Sequence, residues 1–402
     1  MKILRVAGGL DAGFGGAPRA TLDSARAVAR TGLAVHLVFP ADHTGGLAPD
    51  EQQRLTSDGV TLETFPRLSW PAGPAHRYGL SPALARWLHA HAAGYDVVHA
   101  EGAWTHGTVA GLAAARTTGR PIVLSPHEGL TRFDISQGGG LARPLKTAIK
   151  RYLAGRYRRQ MTAIIYSSAL ERHWSHPGRG AAGAAMVLPH PVFDDQAPQT
   201  KDPVHRAFDP SPDAPLALGY LGRLHPKKNV DRLIAAMALL DMPRRRRVRL
   251  TVAGSGPASL ETRLRAQAAR QGVADSITWA GFLQGDAKTR FLAATDLLCL
   301  PSSFECFGIA PVEGMIAGTP VLVSPDTGIA ADLQADPSGL VVTAEPRAIA
   351  DAITRLMDNR PALVELSRRG NAMARKTYSF AAHGQALAAL YHDLANGQDH
   401  RD

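Results

Sequence analysis

A chain of 402 residues is long enough for two domains of ordinary size, each with its own core. Its 45% hydrophobic and 6% aromatic content fits an Ala- and Leu-rich α/β protein rather than a disordered chain, and no run of about 18 apolar residues offers a membrane span. Lys and Arg outnumber Asp and Glu by 45 to 35, a net charge of +10 that admits an anionic partner, while two cysteines, Cys299 and Cys306, exclude a disulfide framework or a zinc site built from cysteine pairs.

The opening MKILRVAGGLDAGFGG carries a positive residue, but its apolar run is too short for a signal peptide, so a cytoplasmic protein, soluble or peripheral at a membrane, is expected. Strand-like apolar segments at 3–7, 34–39, 60–65, 96–100, 122–125, 163–167 and 186–189 alternate with helix-length segments. That alternation predicts a parallel sheet wrapped by helices, a first domain over 1–193. After the first strand comes a loop rich in glycine, ending in Gly15 and Gly16 before a helix that opens near Pro18. Its glycines let the backbone approach a phosphate or a sugar closely. It is not a dinucleotide fingerprint: the G-x-G-x-x-G order is missing, and the second strand ends in Phe39-Pro40 rather than in an acid.

His127, in LSPHEGLT, follows the strand at 122–124 and so stands where ligands bind in such sheets; a packing role is the alternative for one of sixteen histidines. Glu128 and Asp134 are further candidates beside it, and His99 and Trp104 read as either cleft-wall or packing residues. Arg143, Lys146, Lys150, Arg151, Arg156, Arg158 and Arg159 form a basic run with no acid between Asp134 and Glu171. Interleaved Leu145, Ile149, Tyr152 and Leu153 give it the partial amphipathic spacing of a helix lying on an anionic membrane surface, against the alternative of a solvated helix face.

Residues 194–215 carry Pro198, Pro203, Pro210, Pro212 and Pro215 with little apolar content, and read as a connector. A second alternating series follows at 216–220, 249–253, 276–280, 296–300, 320–324 and 339–342, predicting a second domain over 216–379 with helices from about 346 onward. Its first strand leads into GRLHPKKN, which puts Arg223 and Lys228 on a turn suited to a diphosphate: arginine offers a planar fork and lysine a point charge. In SSFECFGIAPVEGMIAG, Glu305 falls in a loop and Glu313, eight positions on, in the first turn of a helix whose first residue is taken as Pro311. Backbone N–H groups from Phe307 to Ile309 would then face a ligand at the sheet's carboxyl edge. Arg244 to Arg247 make a separate basic cluster in an expected turn, without the aromatic platform or signature of a nucleic-acid binder, so no nucleic-acid partner is expected.

These residues carry a resemblance. G-R-L-x-P-x-K-N, the A-G-S-G-P turn at 253–257, the Gly281-Phe282 pair and P-S-x-x-E-x-F-G-x-x-x-x-E follow one another as they do in retaining glycosyltransferases of family 4, with Cys306 departing from the usual small residue. The match is specific over about 216–342 and looser before it. The resemblance implies a GT-B fold: two Rossmann-like doubly wound parallel-sheet domains facing across a cleft, with the donor on the second, the acceptor on the first, and the last helix, about 380–402, packed back on the first. It further implies a nucleotide diphosphate sugar as donor, a glycan or lipid-linked acceptor, and catalytic roles for Arg223, Lys228, Glu305 and His127. Donor contacts would come from Gly15, Gly16, Gly222, Gly254, Gly256, Phe282, Leu283, Phe307, Gly308, Ile309 and Glu313. No cofactor and no metal are expected, since the cationic pair supplies the positive charge. A hydrolysing nucleotide-sugar epimerase of the same architecture is the alternative. A nicotinamide oxidoreductase predicts an acid after the second strand, which is absent, and an inactive nucleotide-binding scaffold would not be expected to retain all four charged groups.

Overall fold

The computed structural model describes residues 1–10, 16–42, 46–68, 78–136, 143–175, 183–196, 208–209, 211 and 214–397. Gly15, and most of the segment 194–215 expected as a connector, lie outside the described residues. The chain divides into two compact units, Met1–Val192 with Phe380–Asp402, and Phe193–Ser379.

The first unit runs β1 (Lys2–Ala7), α1 (Gly16–Ala29), β2 (Ala34–Ala41), α2 (Pro49–Ser57), β3 (Val60–Pro66), α3 (Pro82–His91), β4 (Val97–Glu101), α4 (His106–Thr118), β5 (Ile122–Ser125), α5 (Arg132–Ser136), α6 (Arg143–Gln160), β6 (Ala163–Tyr166), α7 (Ala169–Trp174) and β7 (Ala184–Val187). The second runs β8 (Leu216–Leu221), α8 (Val230–Leu239), α9 (Met242–Arg247), β9 (Val248–Ala253), α10 (Ala258–Arg270), β10 (Ile277–Gly281), α11 (Gly285–Ala294), β11 (Leu297–Leu300), α12 (Ile309–Ile316), β12 (Val321–Val323), α13 (Ala330–Ala335), β13 (Leu340–Val341), α14 (Pro346–Asp358) and α15 (Pro361–Thr377). A last helix, α16 (Phe380–Ala395), belongs to the first unit. Arg244 to Arg247, expected in a turn, are helical instead, because Asp241 caps the short α9 by accepting from Arg244 N.

Both sheets are parallel throughout, ordered β3-β2-β1-β4-β5-β6-β7 and β10-β9-β8-β11-β12-β13. In each the order reverses beside the first strand, between β1 and β4 and between β8 and β11, the place where ligands gather in doubly wound sheets. The same device starts both reversals. Asp96 accepts from Lys2 N and Asp296 from Ala217 N, each at 2.7 Å, so the aspartate before the returning strand holds the start of the central one.

Alternation along β1 sends Ile3 into the core shared with Val35, Leu37 and Phe39, and Leu4 and Val6 into the core on the opposite face with Leu84, Leu88 and Leu112. The first of these cores is closed by α16, whose Leu387 and Tyr391 pack among Leu22, Ala25 and Val28 of α1. Arg26 of α1 and Arg30 just past its end both lie 5.2 Å over the Phe380 ring and both bond Asp58. At the crossing, a Cβ on Gly384 would run into the carbonyl oxygen of Ala27. A backbone obstacle cannot swing aside as a side-chain tip can. Gly384→Ala is therefore expected to destabilise the protein by about 1–3 kcal/mol, read as a lowered midpoint in thermal or urea unfolding; an unchanged midpoint would mean the two helices part at no cost.

Candidate active site

In the second unit two turns are stitched together at the carboxyl edge of β8 and β11. Past β8 the chain turns at Gly222, and the Tyr220 hydroxyl donates to Arg223 O (2.9 Å), leaving the Arg223 side chain exposed. A single 3-10 turn over Pro226–Lys228 ends at Asn229, whose left-handed backbone (φ 53°) frees its side chain to reach across. Asn229 Nδ2 donates to Pro301 O (2.7 Å) and Ser303 Oγ (2.8 Å), and Ser303 N donates to Lys227 O (2.7 Å). The A-G-S-G-P turn lies behind. Gly222 N donates to Ala253 O and Leu224 N to Ser255 O, and a Cβ on Gly254 or Gly256 would strike Gly222 O or Leu224 O. These two glycines thus stand directly behind the turn that carries Arg223.

The loop after β11 is held from its other side. Glu305 N donates to Asp326 O, Gly328 N to Glu305 O and Ile329 N to Phe307 O, at 2.8–3.1 Å. Gly308 caps α12 at φ 104°, a conformation that side chains resist, and a Cβ there would sit 3.1 Å from Thr327 Cγ2. The helix begins at Ile309, two residues before the expected Pro311, because glycine rather than proline sets its start. Glu313 consequently occupies the second turn, not the first. As in any helix, the first N–H groups of α12 have no intrahelical acceptor and are available to an anion.

Both acids are paired with lysines. Lys228 Nζ contacts Glu305 Oε2, with the two side chains 12% and 20% exposed, and Lys288 Nζ of α11 donates to Glu313 Oε1 at 2.6 Å. Lys288 was absent from the sequence reading, since nothing in its neighbourhood marks it and only the packing of α11 brings it to Glu313. Phe307 is buried edge-to-face on Tyr378 (5.4 Å between centroids), so a ligand can meet its backbone but not its ring. Phe282, following Gly281 at the end of β10, is 69% exposed, and Leu283 beside it is half-buried.

In the first unit His127 and Glu128 follow β5 with successive positive φ angles of 47° and 72°. Such residues each cost roughly 1–3 kcal/mol and persist only where neighbours hold them. Here the holder is the buried Glu171, which accepts from Glu128 N, Ser167 N and Ser167 Oγ, all at 2.7 Å. The His127 ring stacks on His190 (5.5 Å, 30°), and its Nε2 lies 2.6 Å from Glu101 Oε2 and 3.3 Å from Thr21 Oγ1. Glu101 also pairs with the fully buried Arg5. Burial alone would raise the Glu101 carboxyl, but Arg5, then His99 and His127, hold it well below the usual carboxylate range.

His99 is no cleft-wall residue. It lies inside β4, wholly buried, joined to the Tyr391 hydroxyl (2.5 Å) and to Ser125 Oγ (2.8 Å), because the strand runs on to Glu101. Trp104 donates to Gly129 O, and Lys150, 5.3 Å over its ring, bonds Asp134 at 3.0 Å. The basic run is helical as expected, over α6, yet Ala154 and Tyr157 on that helix are buried in the core. Its described apolar side is turned inward to a large extent, and Arg151, Tyr152, Arg156 and Arg159 make the exposed one. Gly16 is the first residue of α1. His127 thus belongs to the first unit, whereas Arg223, Lys228, Glu305, Gly308 and Glu313 all belong to the second, where Lys228 and Glu305 meet.

Two family models match the chain, the glycosyl transferase 4-like domain over residues 15–191 and glycosyl transferases group 1 over residues 202–376. A lipopolysaccharide core biosynthesis mannosyltransferase of Rhizobium meliloti is 32% identical over 59% of this chain and 67% of its own length. A D-inositol 3-phosphate glycosyltransferase of Catenulispora acidiphila is 28% identical over 97% of this chain and 93% of its own. Among solved structures, HepE of Anabaena in complex with UDP superposes with a TM-score of 0.73 at 20% identity over 98% of this chain and all of that one, and the lipopolysaccharide glycosyltransferase WaaG with 0.64 at 18% over 97% and 99%.

Burial pushes His99 down to about 3 and His383 to about 4, from an ordinary value of 6.5. The unfolded chain therefore binds more protons than the folded one from pH 6.5 down to those values, so this stability is complete above pH 6.5 and declines as pH falls through the window. Asp23, which burial raises to about 6 despite Arg19, works in the opposite sense but is one group against two. The melting temperature is expected to fall between pH 7 and pH 4.5; a level or rising midpoint would contradict the neutral, buried state of the two histidines.

Proposed function

Because the chain belongs to the glycosyl transferases group 1 family and shares the GT-B fold of two Rossmann-like parallel-sheet units, it is a glycosyltransferase, and we propose that it is a retaining one, moving a hexose from a UDP- or GDP-linked donor to a hydroxyl of a lipid-linked or oligosaccharide acceptor in surface polysaccharide or glycolipid assembly. The observation that carries this reading is the contact of Lys228 with Glu305 beside Arg223 and the start of α12. One edge of the sheet there offers two cations, a helix start and a carboxylate, which together suit a diphosphate joined to a sugar.

In this reading the diphosphate binds Arg223, Lys228 and the amides near Gly308 and Ile309, the ribose binds Glu313, and the base binds the backbone around Gly281, Phe282 and Leu283. Lys288 bonds the Glu313 carboxylate and so orients it for two ribose hydroxyls. Glu305 orients the sugar. Breaking the anomeric bond builds positive charge on the sugar and negative charge on the leaving diphosphate, so the preorganised cations act mainly on the leaving group. The acceptor attacks on the face that the diphosphate leaves, and the departing phosphate oxygen takes the acceptor's proton. This route needs no carboxylate nucleophile, and none is assigned. Arg223 and Lys228 provide the charge compensation, so the reading includes no metal or cofactor. His127 is taken as a contact of the donor sugar from the first unit, and that unit as the carrier of the acceptor.

Among the described residues no helix is long and apolar enough to cross a membrane. The exposed Arg151, Arg156 and Arg159 of α6 suit transient attraction to an anionic cytoplasmic leaflet, at about 1 kcal/mol per cation, where a lipid-linked acceptor would be met. With its buried side turned to the core, this helix would act as a charged patch more than as an inserted amphipath.

A thermal-stability panel of UDP- and GDP-linked hexoses tests the donor class, since a ligand at 100 times its dissociation constant stabilises by roughly 2.7 kcal/mol. Lys228→Ala and Arg223→Ala are each expected to lower turnover about 100-fold or more with folding intact, and near-normal turnover in the purified double variant would refute the site. Glu305→Gln separates the two halves of the donor. Freeing Lys228 should tighten UDP or GDP by up to about fivefold, worth about 1 kcal/mol, while turnover falls; equal loss of both would show that Glu305 serves the nucleotide instead.

A further inference from the structure

Glu101 is not among the residues to which any role has been given, yet it ends β4 at the reversal of the first sheet and lies opposite Ser125, two residues before His127. It is 4% exposed and surrounded by donors. Arg5 pairs with its Oε1, and His127 Nε2 (2.6 Å) and Thr21 Oγ1 (3.4 Å) approach its Oε2. The other titratable groups lining this pocket are Glu171 of α7, His190 after β7 and His383 of α16, while His99 of β4, bonded to Tyr391, lies 3.6 Å from Glu101 Oε1. The pocket itself is about 10 Å³, room for one water at most, so the cluster is not built around a ligand of its own.

We infer that Glu101 is a positioning residue that pins the His127 proton on Nε2 and so presents Nδ1, as a hydrogen-bond acceptor, to a hydroxyl of the donor sugar. The argument is one of proton inventory. An ionised carboxylate only accepts and a guanidinium only donates, so with Arg5 keeping Glu101 charged the proton in the 2.6 Å contact has to sit on Nε2. Nδ1 has no hydrogen-bond partner among the described residues. In the neutral ring it therefore carries a lone pair aimed away from Glu101. The left-handed turn at His127 and Glu128, fixed by Glu171, and the His190 ring stacked behind set the direction in which that lone pair points. This rests on the proposed placing of His127 toward the donor sugar.

The test uses the full-length chain labelled with ¹⁵N-histidine. The His127 signals are identified by their loss in His127→Ala, and at neutral pH they are expected to show Nε2 protonated and Nδ1 bare. An Nδ1–H tautomer in the unaltered protein overturns the inference, and this measurement needs no variant of Glu101 to fold. In Glu101→Gln the carboxamide can both donate and accept, so the tautomer is expected to become mixed. An unchanged tautomer in a folded Glu101→Gln protein also overturns the assignment. With UDP-glucose and GDP-mannose as probes, Glu101→Gln should lower kcat by at least about tenfold, and should do nothing further in the His127→Ala background. A loss that persists in full in that background means that Glu101 acts by another route. If His127→Ala keeps full turnover while Lys228→Ala loses it, the inference falls and the donor site stands; if neither variant changes turnover, the donor site itself falls.

Discussion

Parallel strands all send their carboxyl ends to one edge, and both sheets of this protein are parallel from end to end. That constraint shapes most of what is functional here. In each sheet the central strand has neighbours whose connections leave in opposite directions, so the loops on either side of it part and expose a crevice at that edge. The turn at 222–229 and the loop at 301–308 meet beside β8 and β11, and the loops after β4 and β5 meet beside β1 and β4.

Charge is handled differently in the two units. Lys228–Glu305 and Lys288–Glu313 are partly exposed pairs, in which each group can exchange its partner for a ligand at small cost because water screens the difference. Arg5 and Glu101 are buried, so neither can be parted from the other without leaving an uncompensated charge, and His127 is held against Glu101. Under the proposed function, the first arrangement suits groups that engage and release a diphosphate sugar at every turnover. The second suits groups that must never move. Family membership is consistent with both, since a transferase needs an exchangeable donor site on a rigid frame.

The helix α16 links the frame to the chain's other end. It buries Leu387 and Tyr391 against α1, and its His383 bonds both Ser24 Oγ and Pro189 O. Through Ser24 and Arg5 it touches the same buried network that holds Glu101. A segment more than 370 residues from β1 thus completes the core on which the first unit's candidate residues rest.

Much of this was legible along the chain. Apolar runs spaced by helix-length segments marked the strands of both sheets to within a residue or two, because a buried parallel strand has to be apolar on both faces. GRLHPKKN and the two glutamates eight residues apart were visible because local turns and a helix start place them, and local geometry is written in local sequence. Where the reading slipped, the deciding contact was distant. Gly308 rather than Pro311 set the helix start because the 326–329 segment packs beside it. His99 was drawn into the core by Tyr391, nearly three hundred residues away. Phe307 lost its ring to Tyr378, and α6 turned Ala154 and Tyr157 inward, for the same reason. The order of residues thus determined the two parallel-sheet units, the family and the cationic turn with its pair of acids. Only the tertiary structure decided which lysine each glutamate meets and that Glu101 stands behind His127, because pairings between strands and helices far apart in the chain depend on packing, which leaves no periodic trace.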